Sequence, residues 1–258
     1  MGDWRYEIQC EVDRLTKGIS RELRVLDAGG GKKTPLAIKG EFHLTVVDMD
    51  PASIAINPVA HERIVADIET HDYGDQLFDL VICWDVLEHL KTPGKAIRRL
   101  SAAVAPGGLL IIKGPVPSSL KAIITRMTPH WFHVAFHRYV LGSRNAGRPG
   151  YAPYPVHLSA DADEVSLTDY LRTEGLDLVA TGRFEGSHAA TLKRKLYPAY
   201  LAYRAASRIV RLMTGGRAGG IETDFYLVAA MPRDSSRSGY APPVEADLRR
   251  SAQGAALA

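Results

Sequence analysis

"RVLDAGGGKKT", residues Arg24 to Thr34, decides the fold. A short apolar run ends in an acid and passes at once into three glycines. Ligands of open parallel sheets bind beyond the carboxyl ends of the strands, and glycine there allows positive φ and close approach of ligand to backbone. Asp27 is read as the end of a first strand, and Ala28 to Gly31 as the loop over its edge. Asp48 ends a second strand, 21 residues after Asp27, where an acid can accept both hydroxyls of a ribose. Asp67 ends a third, placed for the far end of a nucleoside. Each acid alone is also a good turn former or helix cap. Together they describe a nucleoside pocket. A dinucleotide site would put a third glycine where Thr34 stands and run a helix onward, but Pro35 cuts that helix short, so NAD and FAD are disfavoured.

Outward from this stretch, strand-like runs recur at 23–27, 42–48, 63–67, 78–84 and 108–114, with helices or short connectors between them. That alternation predicts an α/β fold: a doubly wound, mostly parallel sheet with helices on both faces. Ile8, Val12 and Leu15 fall at helical spacing, so 4–17 reads as an amphipathic helix. "TPGKAIRRLSAAV" (92–104) reads as a crossover helix, with "APGG" as its stop. A short helix at 166–175 precedes two more strands, "LDLVATGRF" and "IETDFYLVAAM". A helical cap is expected at about 116–160 and a helical insertion at about 187–219, all within one domain spanning 1–233. Residues 234–258 carry little apolar content and are expected to be a disordered tail.

No apolar run approaches the roughly 20 residues of a membrane span. The polar N-terminus does not resemble a secretory signal, and Cys10 and Cys83 offer no disulfide framework, so a cytoplasmic protein is expected. The net charge of +3 hides an asymmetry. Residues 89–160 hold ten Lys or Arg and no acid, and residues 186–221 hold seven and no acid. A basic surface built from these later segments suits an anionic, glycosylated or lipid-linked partner. No nucleic-acid recognition module is present.

With these residues in hand, the chain resembles the class I S-adenosylmethionine-dependent methyltransferases. "VLDAGGG", "VVDMD", "ADI", "FDLVICWDVLEHL" and "APGGLLII" match that family's motifs in order over 22–114, and "EHL" after strand four resembles its small-molecule branch. The resemblance implies a seven-stranded Rossmann-like sheet with an antiparallel last strand, and S-adenosyl-L-methionine as cofactor. It implies that Asp27, Gly29 and Gly31 hold the methionine part, Asp48 the ribose, Met49, Asp67 and Ile68 the adenine, and that Cys83 and Trp84 line the pocket. Lys33 departs from the glycine or small residue often found there. Lys32 and Lys33 are read as turned toward solvent, the alternative being that they neutralise the cofactor carboxylate.

Methyl transfer to a hydroxyl needs an aligned acceptor and a base, a role that suits histidine near neutral pH. The candidates are His89 in "WDVLEHL", His133 in the aromatic stretch 128–142, and His157. His130, His133 and His137 would share a helix face. In ubiquinone-type O-methyltransferases a pattern like Asp85, Glu88 and His89 binds a divalent metal; many relatives carry "EHL" without one, and the reading taken is no metal. Residues 197–213 read as a helix with Arg204, Arg208 and Arg211 on one face, a candidate for peripheral membrane contact. The expected activity is O-methylation of a small-molecule, glycosylated or lipid-linked acceptor. N- or C-methylation of a natural product and a non-catalytic partner protein of the same fold are the alternatives.

Overall fold

The computed structural model describes residues 3–17, 20–140, 142–148, 151, 153–157 and 159–234. The expected tail at 234–258 lies outside them except for Asp234.

Seven strands form one sheet among the described residues: β1 Leu23–Ala28, β2 Phe42–Asp48, β3 Glu62–Val65, β4 Phe78–Trp84, β5 Val104–Pro115, β6 Asp177–Phe184 and β7 Asp224–Ala230. Their order is β3-β2-β1-β4-β5-β7-β6. β7 runs antiparallel to both its neighbours and the other pairings are parallel, as the sequence predicts. The chain order reverses direction between β1 and β4, so the loops after these two strands open on a shared crevice.

Strand alternation divides the core. Val25, Leu44, Leu80, Ile82, Ile111 and Val228 face one side, under Ile8 and Val12 of helix α1 (Trp4–Thr16). Leu26, Val81, Cys83, Leu110, Ile112 and Leu227 face the other. That side is covered by Ile97 and Leu100 of α3 (Pro93–Ala102) and Leu167 and Leu171 of α6 (Glu164–Thr173). Each fully buried Leu or Ile contributes on the order of 1.5–3 kcal/mol. α2 (Pro51–Ala55) begins just past β2, its N-cap Asp50 accepting from the Ala52 amide.

The sequence reading of "APGG" needs correction. α3 ends at Ala102, and residues 105–108 belong to β5, where the pairing with β4 slips between Phe78 and Leu80. Gly107 takes φ +76° and donates to Met231. The glycines there serve a bulge rather than a helix stop.

The cap holds α4 (Leu120–Met127) and α5 (His130–Tyr139); Tyr151 and residues 153–157 follow outside any helix or strand. The later insertion is two helices, α7 (Ser187–Lys195) and α8 (Tyr197–Met213), with Pro198 in the first turn of α8. The arginine stripe expected on α8 is split. Arg208 and Arg211 are exposed, but Arg204 turns inward, its guanidinium 5.8 Å from the Tyr200 ring centre.

Candidate functional site

The glycine loop is shaped by what surrounds it. Gly29 has φ +78°, and a Cβ there would stand 2.3 Å from Val86 Cγ2. At Gly30 a Cβ would stand 2.4 Å from the Asp27 carboxyl carbon, so only glycine lets this side chain fold back over the loop. Gly31 has φ +45° and faces Asp48. Val86 follows β4, so the loops after β1 and β4 close on one another at the crevice.

Asp27 is buried, and its Oδ2 has no hydrogen-bond partner. Burial pushes its carboxyl up to about 7; the Thr34 hydroxyl opposes the shift and the nearby Asp48 charge adds to it. Burial also raises Asp48, against the pull of the Asp50 and Gly31 amides. Its Oδ1 accepts from the Asp50 amide at 2.8 Å. Neither acid forms an ion pair with a lysine or arginine among the described residues. Two adjacent carboxylates without a cation suit a ligand that brings positive charge and hydroxyl donors, and they repel a pyrophosphate. Those are the features of a sulfonium nucleoside with an ammonium tail, so the residues fit S-adenosylmethionine.

The remaining adenine-side residues are placed as follows. Met49 is 66% exposed beside Asp48. Asp67 lies two residues beyond β3 and shapes a turn: its Oδ1 accepts from the Glu69 amide at 2.8 Å, and its carbonyl accepts from Thr70 and His71. Ile68 and Cys83 are buried in the core beneath α3, where burial pushes the Cys83 thiol up. Trp84 turns to the α1 side against Trp4, which stacks on Phe184 at 3.9 Å.

A strap crosses the crevice. Lys32 does not face solvent as expected from sequence; its Nζ sits 3.2 Å from the Tyr151 ring centre. The Tyr154 hydroxyl reaches Ser53 of α2 at 3.5 Å, and the His157 amide donates to the Glu88 carbonyl at 2.7 Å.

The three candidate histidines differ in placement. His89 lies in a short 3-10 turn after β4, its Nδ1 2.6 Å from the Pro155 carbonyl. A carbonyl can only accept, so Nδ1 carries the proton and Nε2 of the neutral ring is left as a base. His133 Nε2 lies 3.1 Å from both Thr128 Oγ1 and the Thr128 carbonyl, which ties α5 to the end of α4. His157 is exposed and meets the site through its backbone. Glu88 keeps one buried oxygen without a partner; burial and the Asp85 charge raise its carboxyl, against His89.

Asp85 does not face a metal-like cluster. It adopts φ +56°, unusual for a residue with a side chain, and pairs with Lys113 Nζ at 2.5 Å. Lys113 also holds Asp224 at 3.0 Å, and Asp224 meets Lys121 at 3.5 Å. Burial works to lower Lys113, but Asp224 and Asp85 outweigh it and hold it raised. No group of three or more His, Cys, Asp or Glu that could hold a metal is present among the described residues. Sequence alone singled out Asp85, but neither its partner Lys113 nor Asp224, which Lys113 also holds.

The topology and the acid-lined glycine loop define a Rossmann-like nucleoside-binding domain. Residues 3–146, more than half of the chain, match the methyltransferase-domain family model, and the chain belongs to that family. The ubiquinone biosynthesis O-methyltransferase of Rickettsia conorii is 32% identical over 115 residues, 41% of this chain and 39% of that protein. The Coxiella burnetii protein of the same name is 27% identical over 164 residues, 60% of this chain and 64% of that protein. The chain therefore spans from about two fifths to just under two thirds of the length of these relatives. A structure described as a putative sarcosine dimethylglycine methyltransferase from Galdieria sulphuraria shares the fold, with a TM-score of 0.52 and 14% identity over 90% of this chain and 85% of that one.

Proposed function

We propose that the chain transfers the methyl group of S-adenosylmethionine to a hydroxyl of a small-molecule acceptor. The observation that carries this is the pair of acids Asp27 and Asp48, which no lysine or arginine neutralises among the described residues and of which Asp27 keeps a buried oxygen without a partner, beneath a loop that only glycine can form. Asp27 and the loop would hold the ammonium end and Asp48 the ribose. When bound, the cofactor supplies an electrophilic methyl group. His89 Nε2 would take the acceptor proton as the oxygen attacks, with Pro155 and Tyr154 holding the ring. The Rickettsia and Coxiella relatives, named as O-methyltransferases, support oxygen as the accepting atom.

The test is label transfer from methyl-labelled S-adenosylmethionine into an organic-soluble product that survives mild alkali, as an ether does. A His89→Ala variant should lose a hundredfold or more in kcat, the ordinary share of a positioned base. Alkali-labile label, or an unchanged rate in the variant, would contradict the reading.

The acceptor is lipid-linked in this reading, reached at an anionic membrane surface. No described helix is long and apolar enough to cross a membrane. The outward face of α8 is nevertheless apolar: Leu201, Ile209, Leu212 and Met213 are exposed, the last two by 81% and 82%. Arg208 and Arg211 border that face, and residues 186–221 hold no acid to repel anionic lipid. Such a helix lies in the interface plane, each arginine contributing about 1 kcal/mol. Sedimentation with anionic vesicles should pellet the wild type, and both Leu212→Gln/Met213→Gln and Arg208→Gln/Arg211→Gln should weaken it. A protein left in the supernatant at low salt would mean that the acceptor is taken from water.

A further inference from the structure

The last turn of α8 borders a surface cavity of about 480 Å³, lined by Arg208, Arg211, Leu212, Gly215 and Gly216. The two arginines stand three residues apart, so they share one helix face and reach the same cavity. Both are exposed, and neither forms an ion pair among the described residues. No acid lies between Glu185 and Glu222. Glu185 is engaged near the other end of the helix, where it accepts from the Tyr200 hydroxyl at 3.1 Å. Glu222 pairs with neither arginine. Two guanidiniums therefore share one cavity without a counter-charge.

The glycine wall is fixed by the turn that ends α8. The Gly216 amide donates to the Arg211 carbonyl at 2.8 Å, and the Gly215 amide to the Leu212 carbonyl at 3.3 Å. The Val210 carbonyl accepts from the Thr214 amide at 2.9 Å and the Thr214 hydroxyl at 2.8 Å. These carbonyls belong to the negative end of the helix dipole, and the turn satisfies them before any anion arrives. The Gly219 amide donates to the Ser118 carbonyl at 2.9 Å, which pins the turn to the residues ahead of α4. Gly215 and Gly216 adopt φ +59° and +84°, and a Cβ on either would meet nothing within 4 Å. Bare backbone there faces open space, so a ligand can press against it. Leu212 gives the cavity an apolar side, and its neighbour Met213 is exposed at the same end of the helix.

The volume is far more than a lone anion fills, and the lining joins charge to an apolar side chain. Both features suit a ligand with an anionic head and an apolar body. Guanidinium forks match phosphate oxygens two at a time. A phosphomonoester carries close to two negative charges near pH 7, one for each arginine. We propose that Arg208 and Arg211 hold the phosphomonoester headgroup of a membrane lipid, with Leu212 against its glycerol and first acyl carbons. The lipid source rests on the surface reading of α8; the site does not depend on methyl transfer. General attraction to an anionic surface depends on charge alone. This cavity adds a choice among headgroups of equal charge.

The experiment sediments the full chain with phosphatidylcholine vesicles carrying either phosphatidic acid or phosphatidylserine at matched surface potential. The same protein is titrated with dihexanoyl phosphatidic acid and with glycerol 3-phosphate, following the Gly215 and Gly216 amide resonances by NMR. Thermal melting checks that each variant folds, and S-adenosylhomocysteine affinity tests the methyl-transfer reading separately. Wild type is expected to bind phosphatidic acid vesicles about tenfold more tightly than phosphatidylserine vesicles, the size of one charge-assisted contact. Arg208→Lys/Arg211→Lys keeps the charge and loses the forks, so it should bind the two vesicle types about equally. Leu212→Gln should weaken dihexanoyl phosphatidic acid and leave glycerol 3-phosphate unchanged. Equal binding of both vesicle types by wild type, or a preference that survives in the lysine variant, overturns the site and leaves the surface reading of α8 alone. Glycerol 3-phosphate bound as tightly as the short-chain lipid overturns the lipid assignment. Binding of the short-chain lipid by a protein that stays in the supernatant with both vesicle types overturns the membrane source, and the surface reading of α8 with it.

Discussion

Asp27→Asn is expected to make the free protein more stable at pH 8 while weakening its hold on S-adenosylhomocysteine. The Asp27 carboxyl, raised to about 7 chiefly by burial, carries an extra proton in the native state from about pH 4 to pH 7. Its contribution to stability is full below the unfolded carboxylate pKa, declines as pH rises through that window, and is lost above the folded pKa. A shift of this size corresponds to as much as about 4 kcal/mol. Asparagine has no proton to lose. The variant should therefore melt on the order of 5–10 °C above wild type at pH 8, with the gap closing toward pH 4. Thermal melts at pH 8, 6 and 4 without ligand read this directly. A variant that is less stable than wild type at pH 8 would mean that Asp27 has a partner within the protein, and the account of the loop would fall with it.

Lys113→Met should be the most destabilising of the changes considered. Lys113 is buried between Asp85 and Asp224, its side chain 10% exposed against 4% for Asp224. Removing one partner of a buried pair costs about 3–5 kcal/mol, because the other charge is left behind. Burial works to raise Asp224, but Lys121 and Lys113 outweigh it and hold its carboxyl below the usual range. In wild type that ion pair stabilises above the unfolded carboxylate pKa and is lost as pH falls below it. With Lys113 gone, only Lys121 and the Thr223 hydroxyl oppose burial, Asp224 shifts upward, and protonation relieves the variant. Urea unfolding should show the deficit largest near pH 8 and smaller near pH 5. A deficit under about 1 kcal/mol at both pH values would place the pair in solvent, as exposed ion pairs behave.

Much of the sheet was legible because its signals are local. The runs at 42–48 and 78–84 coincide with β2 and β4, and 197–213 with α8. Asp27, Gly29, Gly31 and Asp48 could be placed at the strand-end crevice from sequence because acids and glycines recur there together, although each alone has other uses as a turn former or helix cap. What was missed depends on tertiary meeting. "APGG" reads as a helix stop until its pairing across β4 and β7 is seen. Lys32 reads as solvated until Tyr151, more than a hundred residues later, comes to lie against it. Lys113 did leave a trace, one charge inside the apolar run "LLIIKG", as did Asp224 ahead of "FYLV". Neither signal says that the two side chains share a face and meet across the β5–β7 pair.

In the proposed function a buried acid and a glycine loop hold the cationic end of a sulfonium nucleoside. The most direct measurement is calorimetric titration of S-adenosylhomocysteine into wild type and Asp27→Asn at pH 6 and pH 8, with reduced nicotinamide dinucleotide as a control. Wild type should bind S-adenosylhomocysteine more tightly at pH 8, where Asp27 gives up its proton to pair with the ligand's ammonium group. Asp27→Asn should bind it weakly, and equally at both pH values, and neither protein should bind the dinucleotide. Equal affinity in wild type and Asp27→Asn, or tight binding of the dinucleotide instead, would contradict the account.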